Sequence, residues 1–186
     1  MVVAASLCRG VLCGCIVRLL FAKSAVPEES IREHPRRPRR LDWLFQNVQP
    51  FYFVTFNTYN HLEFLAQPEI HEAFSLFCRK AQAHDVAVGR YVLMPDHIHL
   101  FVVFPPEGIT LENWIQSLRS ALGKTLLRIG LQKPHWQEGF FDHVLRSSES
   151  YSEKWDYVRL NPVRAGLVQT PEEWPYQGEI MRLPFG

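Results

Sequence analysis

The chain has little that would tie it to a membrane or to an oxidising compartment. Only four of its 186 residues are cysteine, and three of these, Cys8, Cys13 and Cys15, fall in the first fifteen positions. Cys78 stands alone in the body, so no disulfide framework is implied and a reducing cytoplasm is the expected location. Cys13-Gly14-Cys15 lacks both the two-residue spacer and the second pair of a zinc knuckle. The apolar run between Arg9 and Arg18 falls well short of the roughly 20 residues that span a bilayer. It also fails as a secretory leader, because a charged residue precedes any convincing cleavage site. Charge of one sign is missing too: 20 Lys and Arg against 19 Asp and Glu leave a net charge of +1. There is no internal repeat, no low-complexity tract, no Ser-His-Asp arrangement and no Glu-x-x-His helix. The last two absences argue against a hydrolase acting on small molecules.

What is present divides into three parts. Residues 1–40 are expected to be a disordered extension, of the kind an upstream start codon would add. It ends in a stiff, charged linker, Pro35-Arg36-Arg37-Pro38-Arg39-Arg40. Residues 41–178 carry enough apolar residues for one domain with a real core, and 179–186 are left as a tail. Within the domain, aromatic and β-branched residues mark a strand at Phe51 to Asn57. Pro68 opens a helix with an apolar stripe of Ile70, Ala73, Phe74, Phe77 and Ala81. Two strands, Val86 to Met94 and His97 to Phe104, are joined tightly at Pro95-Asp96 and should pair antiparallel. Thr110 caps a long helix that turns Leu111, Trp114, Ile115, Leu118, Leu122, Thr125, Leu126 and Ile129 inward. Phe140 to Leu145 reads as a short strand, and a final helix opens at Ser147 or Ser148. This β-α-β-β-α-β order predicts an α+β, ferredoxin-like antiparallel sheet with helices on one face. The final helix then has to lie across the sheet edge or the open face.

Two segments carry polar groups that packing does not require. In Met94-Pro95-Asp96-His97-Ile98-His99-Leu100-Phe101, the period-two alternation puts His97 and His99 on one strand face, about 7 Å apart along the backbone. That spacing lets two imidazoles share one divalent cation, although a satisfied pair of structural histidines has the same pattern. In the last helix, Tyr151, Trp155, Val158 and Pro162 form the packing stripe. Tyr157 and Asn161 are i, i+4 neighbours on a different face, with Lys154 one turn upstream. Taken alone, those residues would read as a tyrosine at the core edge and an asparagine ending the helix. Basic residues cluster at Arg32, Arg36, Arg37, Arg39 and Arg40, and again along the long helix at Arg119, Lys124, Arg128 and Lys133. Either set is able to neutralise phosphates or simply to form a solvated face.

Four motifs recur in a recognisable order: Met94 to His99; Trp136-Gln137-Glu138-Gly139-Phe140-Phe141-Asp142-His143-Val144-Leu145-Arg146; Tyr157 to Val168; and Pro171-Glu172-Glu173-Trp174-Pro175-Tyr176. From about Arg40 to Tyr176 the chain resembles the REP-associated tyrosine transposases, relatives of the IS200/IS605 single-tyrosine transposases in the HUH endonuclease superfamily. The resemblance implies a transposase that cleaves and rejoins single-stranded DNA at hairpin, REP-like sequences. It assigns His97, His99 and Asn161 as ligands of Mg²⁺ or Mn²⁺ and Tyr157 as the nucleophile that forms a 5′-phosphotyrosine. Asp96 stands where Asn is frequent in the family, beside the ligands. Arg36, Arg37, Arg39, Arg40, Arg119, Lys124, Arg128 and Lys154 become candidate DNA contacts, and Trp136, Phe140 and Phe141 candidate base-stacking surfaces. The partner is then single-stranded or hairpin DNA, with no membrane. The resemblance leaves a monomer or a homodimer open. The alternative reading is a domesticated hairpin-binding protein that keeps the fold but cleaves little.

Overall fold

The computed structural model describes residues 50–145 and 148–183. The chain divides after Arg40 into two units, and the described residues belong to the second. Arg36, Arg37, Arg39 and Arg40 lie outside the described residues, as does Ser147. Among those described, no helix is long and apolar enough to cross a membrane.

Strand β1 (Phe51–Asn57) is followed by helix α1 (Pro68–Lys80) and the hairpin β2 (Ala87–Leu93) and β3 (His97–Val103). Helix α2 (Leu111–Arg128), strand β4 (Phe141–Leu145), helix α3 (Ser148–Arg159), the single turn α4 (Asn161–Arg164) and strand β5 (Gln177–Glu179) complete the described chain. The sheet order is β4-β1-β3-β2-β5, with every pair antiparallel. The first four strands thus form the expected ferredoxin-like sheet. The fifth went unread in the sequence because three residues, Gln177-Gly178-Glu179, carry no hydrophobic alternation.

Period-two patterning builds a core on each face. On one, Tyr52, Val54, Phe56, Ile98, Leu100 and Val102 meet Ile70, Phe74 and Cys78 of α1 and Trp114, Ile115, Leu118 and Leu122 of α2. Both helices keep their predicted stripes. The Thr110 hydroxyl caps α2 by accepting from the amide of Asn113. A register shift between Val88 and Tyr91 lets both point into this core although they are three residues apart. On the other face, Phe51, Phe53, Phe101 and Val103 pack against Tyr151 and Val158 of α3. Tyr151 sits edge-on to Phe101 and Phe51, with ring centroids 4.8 and 5.2 Å away. The tyrosine-bearing helix therefore covers the open face.

Residues 179–183, expected as a tail, are packed into the domain. The Ile180 and Met181 amides donate to the carbonyls of Gly89 and Val88. Leu183 is buried where a side chain on residue 89 would stand: a Cβ there would lie 2.4 Å from the Leu183 Cδ1. Upstream, the Trp174 indole donates to the Leu93 carbonyl, which ties the Trp-Pro-Tyr motif to the end of β2.

Candidate metal and nucleophile site

Strand β3 begins at His97, opposite Asn57, and His99 stands opposite Thr55. The tight turn before it is held from several sides. The Pro95 carbonyl accepts the amides of Phe64 and Leu65, and the Asp96 carbonyl accepts both the amide and the hydroxyl of fully buried Thr58. The strand end is therefore a fixed platform, as a site built on secondary structure should be.

The two imidazoles converge as the alternation predicts, with Nε2 atoms 3.1 Å apart. Their outer nitrogens are both engaged. His97 Nδ1 donates to Asp96 Oδ1 at 2.6 Å, and His99 Nδ1 pairs with Thr55 Oγ1 at 2.7 Å. The second Asp96 oxygen receives Nδ1 of His61 at 2.8 Å. His61 reaches it from a short turn in which Asn60 and His61 both adopt positive φ, 51° and 55°, an uncommon pair of conformations for non-glycine residues. Burial alone would raise the Asp96 carboxyl. Its bonds to His61 and His97 outweigh that and hold it below the ordinary range. An ionised carboxylate accepts only, so His97 carries a proton on Nδ1, and its neutral form directs a lone pair from Nε2.

Opposite that form, His99 Nε2 is the donor between the rings, and the Thr55 hydroxyl donates to His99 Nδ1. If the His99 proton moves to Nδ1, the same hydroxyl accepts it, so Thr55 serves either tautomer. His99 is 9% exposed and lies 5.5 Å from the parallel ring of Phe53. Burial, then the neighbouring His97 and Arg164, push its pKa down to about 3, so it is neutral near neutral pH.

The donor chemistry fits a divalent ion. Bond lengths of about 2.1 Å place adjacent ligand nitrogens about 3 Å apart, and both rings are oriented by outer hydrogen bonds as metal-ligating histidines usually are. Among the described residues, no group of three or more His, Cys, Asp or Glu side chains is placed to hold a metal ion. Further donors must therefore come from a carboxamide, from water or from substrate.

Tyr157 and Asn161 lie on the same side of the sheet but not in one continuous helix. α3 ends at Arg159, Leu160 forms a turn, and Asn161 opens α4. Tyr157 is 60% exposed whereas Tyr151, six residues earlier, is 0% exposed, the division between faces that the helical period predicts. The Asn161 amide oxygen accepts from Arg164. No hydrogen bond joins Asn161 or Tyr157 to either imidazole among the described residues. Half-buried Lys154 places its ammonium 5.4 Å over the Phe53 ring, and its charge, like that of Arg164, acts on His99.

The other candidate contacts separate. α2 packs on the opposite face of the sheet, so exposed Lys124 and Arg128 are divided from the histidines by the strands. Arg119 is drawn into structure: its guanidinium donates to the Gly139 carbonyl and lies 5.0 Å over the Phe56 ring. Trp136 and Phe140 pack against the α1/α2 core, and the Trp136 indole donates to the Arg119 carbonyl. Phe141 is different. It pairs with Thr55 across the strand, shares a face with His99, and is 58% exposed. Asp96, His61, Thr55 and Arg164 went unassigned in the sequence. Of these, Asp96 was the one with a signal, as a carboxylate directly before a metal-spaced histidine.

The five-stranded antiparallel sheet with its packed helices has the fold of a solved transposase. A solved REP-associated tyrosine transposase, described as bound to a REP hairpin, superposes with a TM-score of 0.58 over 74% of this chain and 91% of that one, at 20% identity. By sequence, the chain is 27% identical over 118 residues to a protein of Haemophilus influenzae named as a REP-associated tyrosine transposase, and 28% identical over 89 residues to the REP-associated tyrosine transposase of Escherichia coli. Those alignments take in 58% and 48% of this chain. The chain spans 65% and 52% of the two relatives' lengths, under two thirds of either. No family model matches. The resemblance read from motif order is thus the one the alignments carry.

Proposed function

We propose that this protein is a metal-dependent, single-stranded DNA endonuclease of the transposase type, which cuts and rejoins hairpin DNA through Tyr157. The observation that carries this reading is the convergence of the His97 and His99 Nε2 atoms on the face that α3 covers, with exposed Tyr157 on that helix. The relatives' names and the hairpin in the neighbouring structure's description support the substrate class. His97 and His99, joined by Asn161 once its amide oxygen leaves Arg164, would hold Mg²⁺ or Mn²⁺. That ion, when bound, supplies charge to polarise the scissile phosphate and the leaving oxygen.

The chain's own groups do the rest. Tyr157 presents its hydroxyl to solvent, where a backbone phosphate of an unpaired strand can align with it. As its oxygen bonds to phosphorus, the bond from phosphorus to the 3′-oxygen breaks. The phenolic proton passes to solvent and the 3′-oxygen takes one up. The phosphodiester is conserved as 5′-phosphotyrosine, so an incoming 3′-hydroxyl can reverse the step. Asp96 holds His97 in the tautomer that keeps Nε2 free, and Phe141 offers a face for an unpaired base.

The test is incubation with Mn²⁺ and labelled hairpin oligonucleotides from the flanks of the protein's own gene. A covalent band on a denaturing gel, lost in chelator, is expected. Hairpin binding with no band under any metal would instead establish the non-cleaving, domesticated binder.

A further inference from the structure

Three arginines lie at the end of α3 or beside it, and their partners differ. Arg159 faces Asp156 and Glu172, with N–O distances of 3.5 and 3.3 Å. Arg90 faces Glu179 at 3.6 Å and stacks on Tyr151 and Trp155. Arg164 has no carboxylate within ion-pair distance among the described residues. Its guanidinium lies 4.1 Å over the Tyr157 ring and donates at 2.7 Å to the Tyr157 carbonyl and to the amide oxygen of Asn161. These partners are neutral, so they hold the group in place without cancelling its charge. The residue is exposed, and its charge reaches His99. Both bonds come from Nη2, so the Nε and Nη1 donors stay open, and release of Asn161 returns an Nη2 hydrogen to the planar fork that suits a phosphate.

We propose that Arg164 is a catalytic residue that binds the scissile phosphate beside Tyr157, exchanging the Asn161 amide oxygen for a phosphate oxygen when DNA enters. The proposal rests on the nuclease reading for the word scissile, but the phosphate contact itself does not. The exchange couples two events: the anion that recruits Arg164 frees Asn161 to turn toward the histidines. Arg164 would thus keep the carboxamide occupied until substrate is present, and would then stabilise the charge that gathers on the phosphate as the tyrosine attacks.

Two measurements decide it. With Tyr157→Phe protein, which cannot cleave, affinity for oligo-dT is followed against salt concentration. Arg164→Gln should lower the logarithmic slope by about 0.7, the value of one single-strand phosphate contact, whereas Arg164→Lys should keep it. Arg159→Gln, whose group is already paired with acids, should leave the slope unchanged. With the tyrosine intact, adduct formation on a hairpin oligonucleotide should slow by about 100-fold in Arg164→Gln, as when a preorganised donor to transition-state charge is removed. A neutral methylphosphonate at the scissile position should shrink that deficit to a few-fold.

An unchanged slope overturns the phosphate contact. A deficit as large on methylphosphonate as on phosphate overturns the catalytic role, because a purely structural defect would not sense substrate charge. If the unmodified protein forms no adduct at all, the nuclease reading falls. The salt slope then decides Arg164 alone: a fall retains the contact and no fall removes it.

Discussion

The two faces of the sheet are made from the same strands, and successive residues of β3 alternate between them. Ile98, Leu100 and Val102 enter the face under α1 and α2, where side chains from both helices close over them and none of the three is exposed. His97, His99 and Phe101 enter the other. There Phe101 is fully buried under Tyr151 and Trp155 of α3, His99 is almost fully buried, and His97 stays partly exposed at the strand end. The first face satisfies packing alone. The second spends two buried or half-buried imidazoles, a carboxylate and an exposed tyrosine where apolar groups would stabilise more, which is the pattern expected where function overrides packing. A strand thus stores stability on one side and chemistry on the other.

The sharpest way to break this comparison uses the two tyrosines of α3. Tyr157→Phe should abolish the protein–DNA adduct on a denaturing gel while hairpin binding and melting temperature stay near those of the parent. Tyr151→Phe should keep the adduct. An adduct retained by Tyr157→Phe and lost by Tyr151→Phe would reverse the assignment of faces.

Neighbouring residues on β3 should separate stability from ligation. Leu100→Ala opens a cavity under α1 and α2 and should cost about 2–5 kcal/mol in denaturant unfolding. His99→Ala should cost less in unfolding yet remove Mn²⁺ binding, read by calorimetry or by the electron paramagnetic resonance of the free ion. Equal losses of stability would mean that the histidine face is packing as well.

Acid should act selectively on the histidine face. The folded pKa of His99 is pushed from 6.5 to about 3, so the unfolded chain takes up the proton first. Stability from the neutral ring is complete above 6.5 and is lost as pH falls from there toward about 3. Chelator-treated His99→Gln protein should therefore show a flatter melting temperature between those limits than the parent. Parallel profiles would sink the claim.

Smaller effects sharpen the edges of the comparison. Phe141→Ala should weaken binding of unpaired DNA by about 1–3 kcal/mol and Phe141→Trp should restore it, with indole fluorescence quenched on binding. A fluorescence signal indifferent to DNA would remove Phe141 from the interface. Smallest is Tyr151→Phe on stability. Its buried hydroxyl lacks a hydrogen-bond partner among the described residues, so the loss should be neutral or should stabilise by up to about 1 kcal/mol. A destabilisation larger than that would reveal a partner.

Much of this is legible in the sequence. Apolar stripes placed α1 and α2, aromatic and β-branched content placed β1, alternation placed β3 with β2 tied to it through Pro95-Asp96, and the helical period alone separated Tyr151 from Tyr157. The i, i+4 relation of Tyr157 and Asn161 was legible too, but the turn at Leu160 between them was not. The proline after Asn161 is equally compatible with a helix ending there or with the fresh turn that α4 makes. β5 and the packing of residues 179–183 were invisible because an edge strand needs backbone pairing and no side-chain pattern.

What the sequence determined by itself was which side of each element a residue occupies, since that follows from local periodicity over a few neighbours. Only the tertiary structure decided which polar groups meet. Thr55 reaches His99 across 44 positions and His61 reaches Asp96 across 35, because antiparallel register and one strained turn deliver them there. Arg164 is only seven residues from Tyr157, yet it reaches the ring and carbonyl from α4, across the break at Leu160. Periodicity records direction relative to one axis, whereas a hydrogen bond needs two axes fixed against each other to within a fraction of an ångström, and packing alone supplies that.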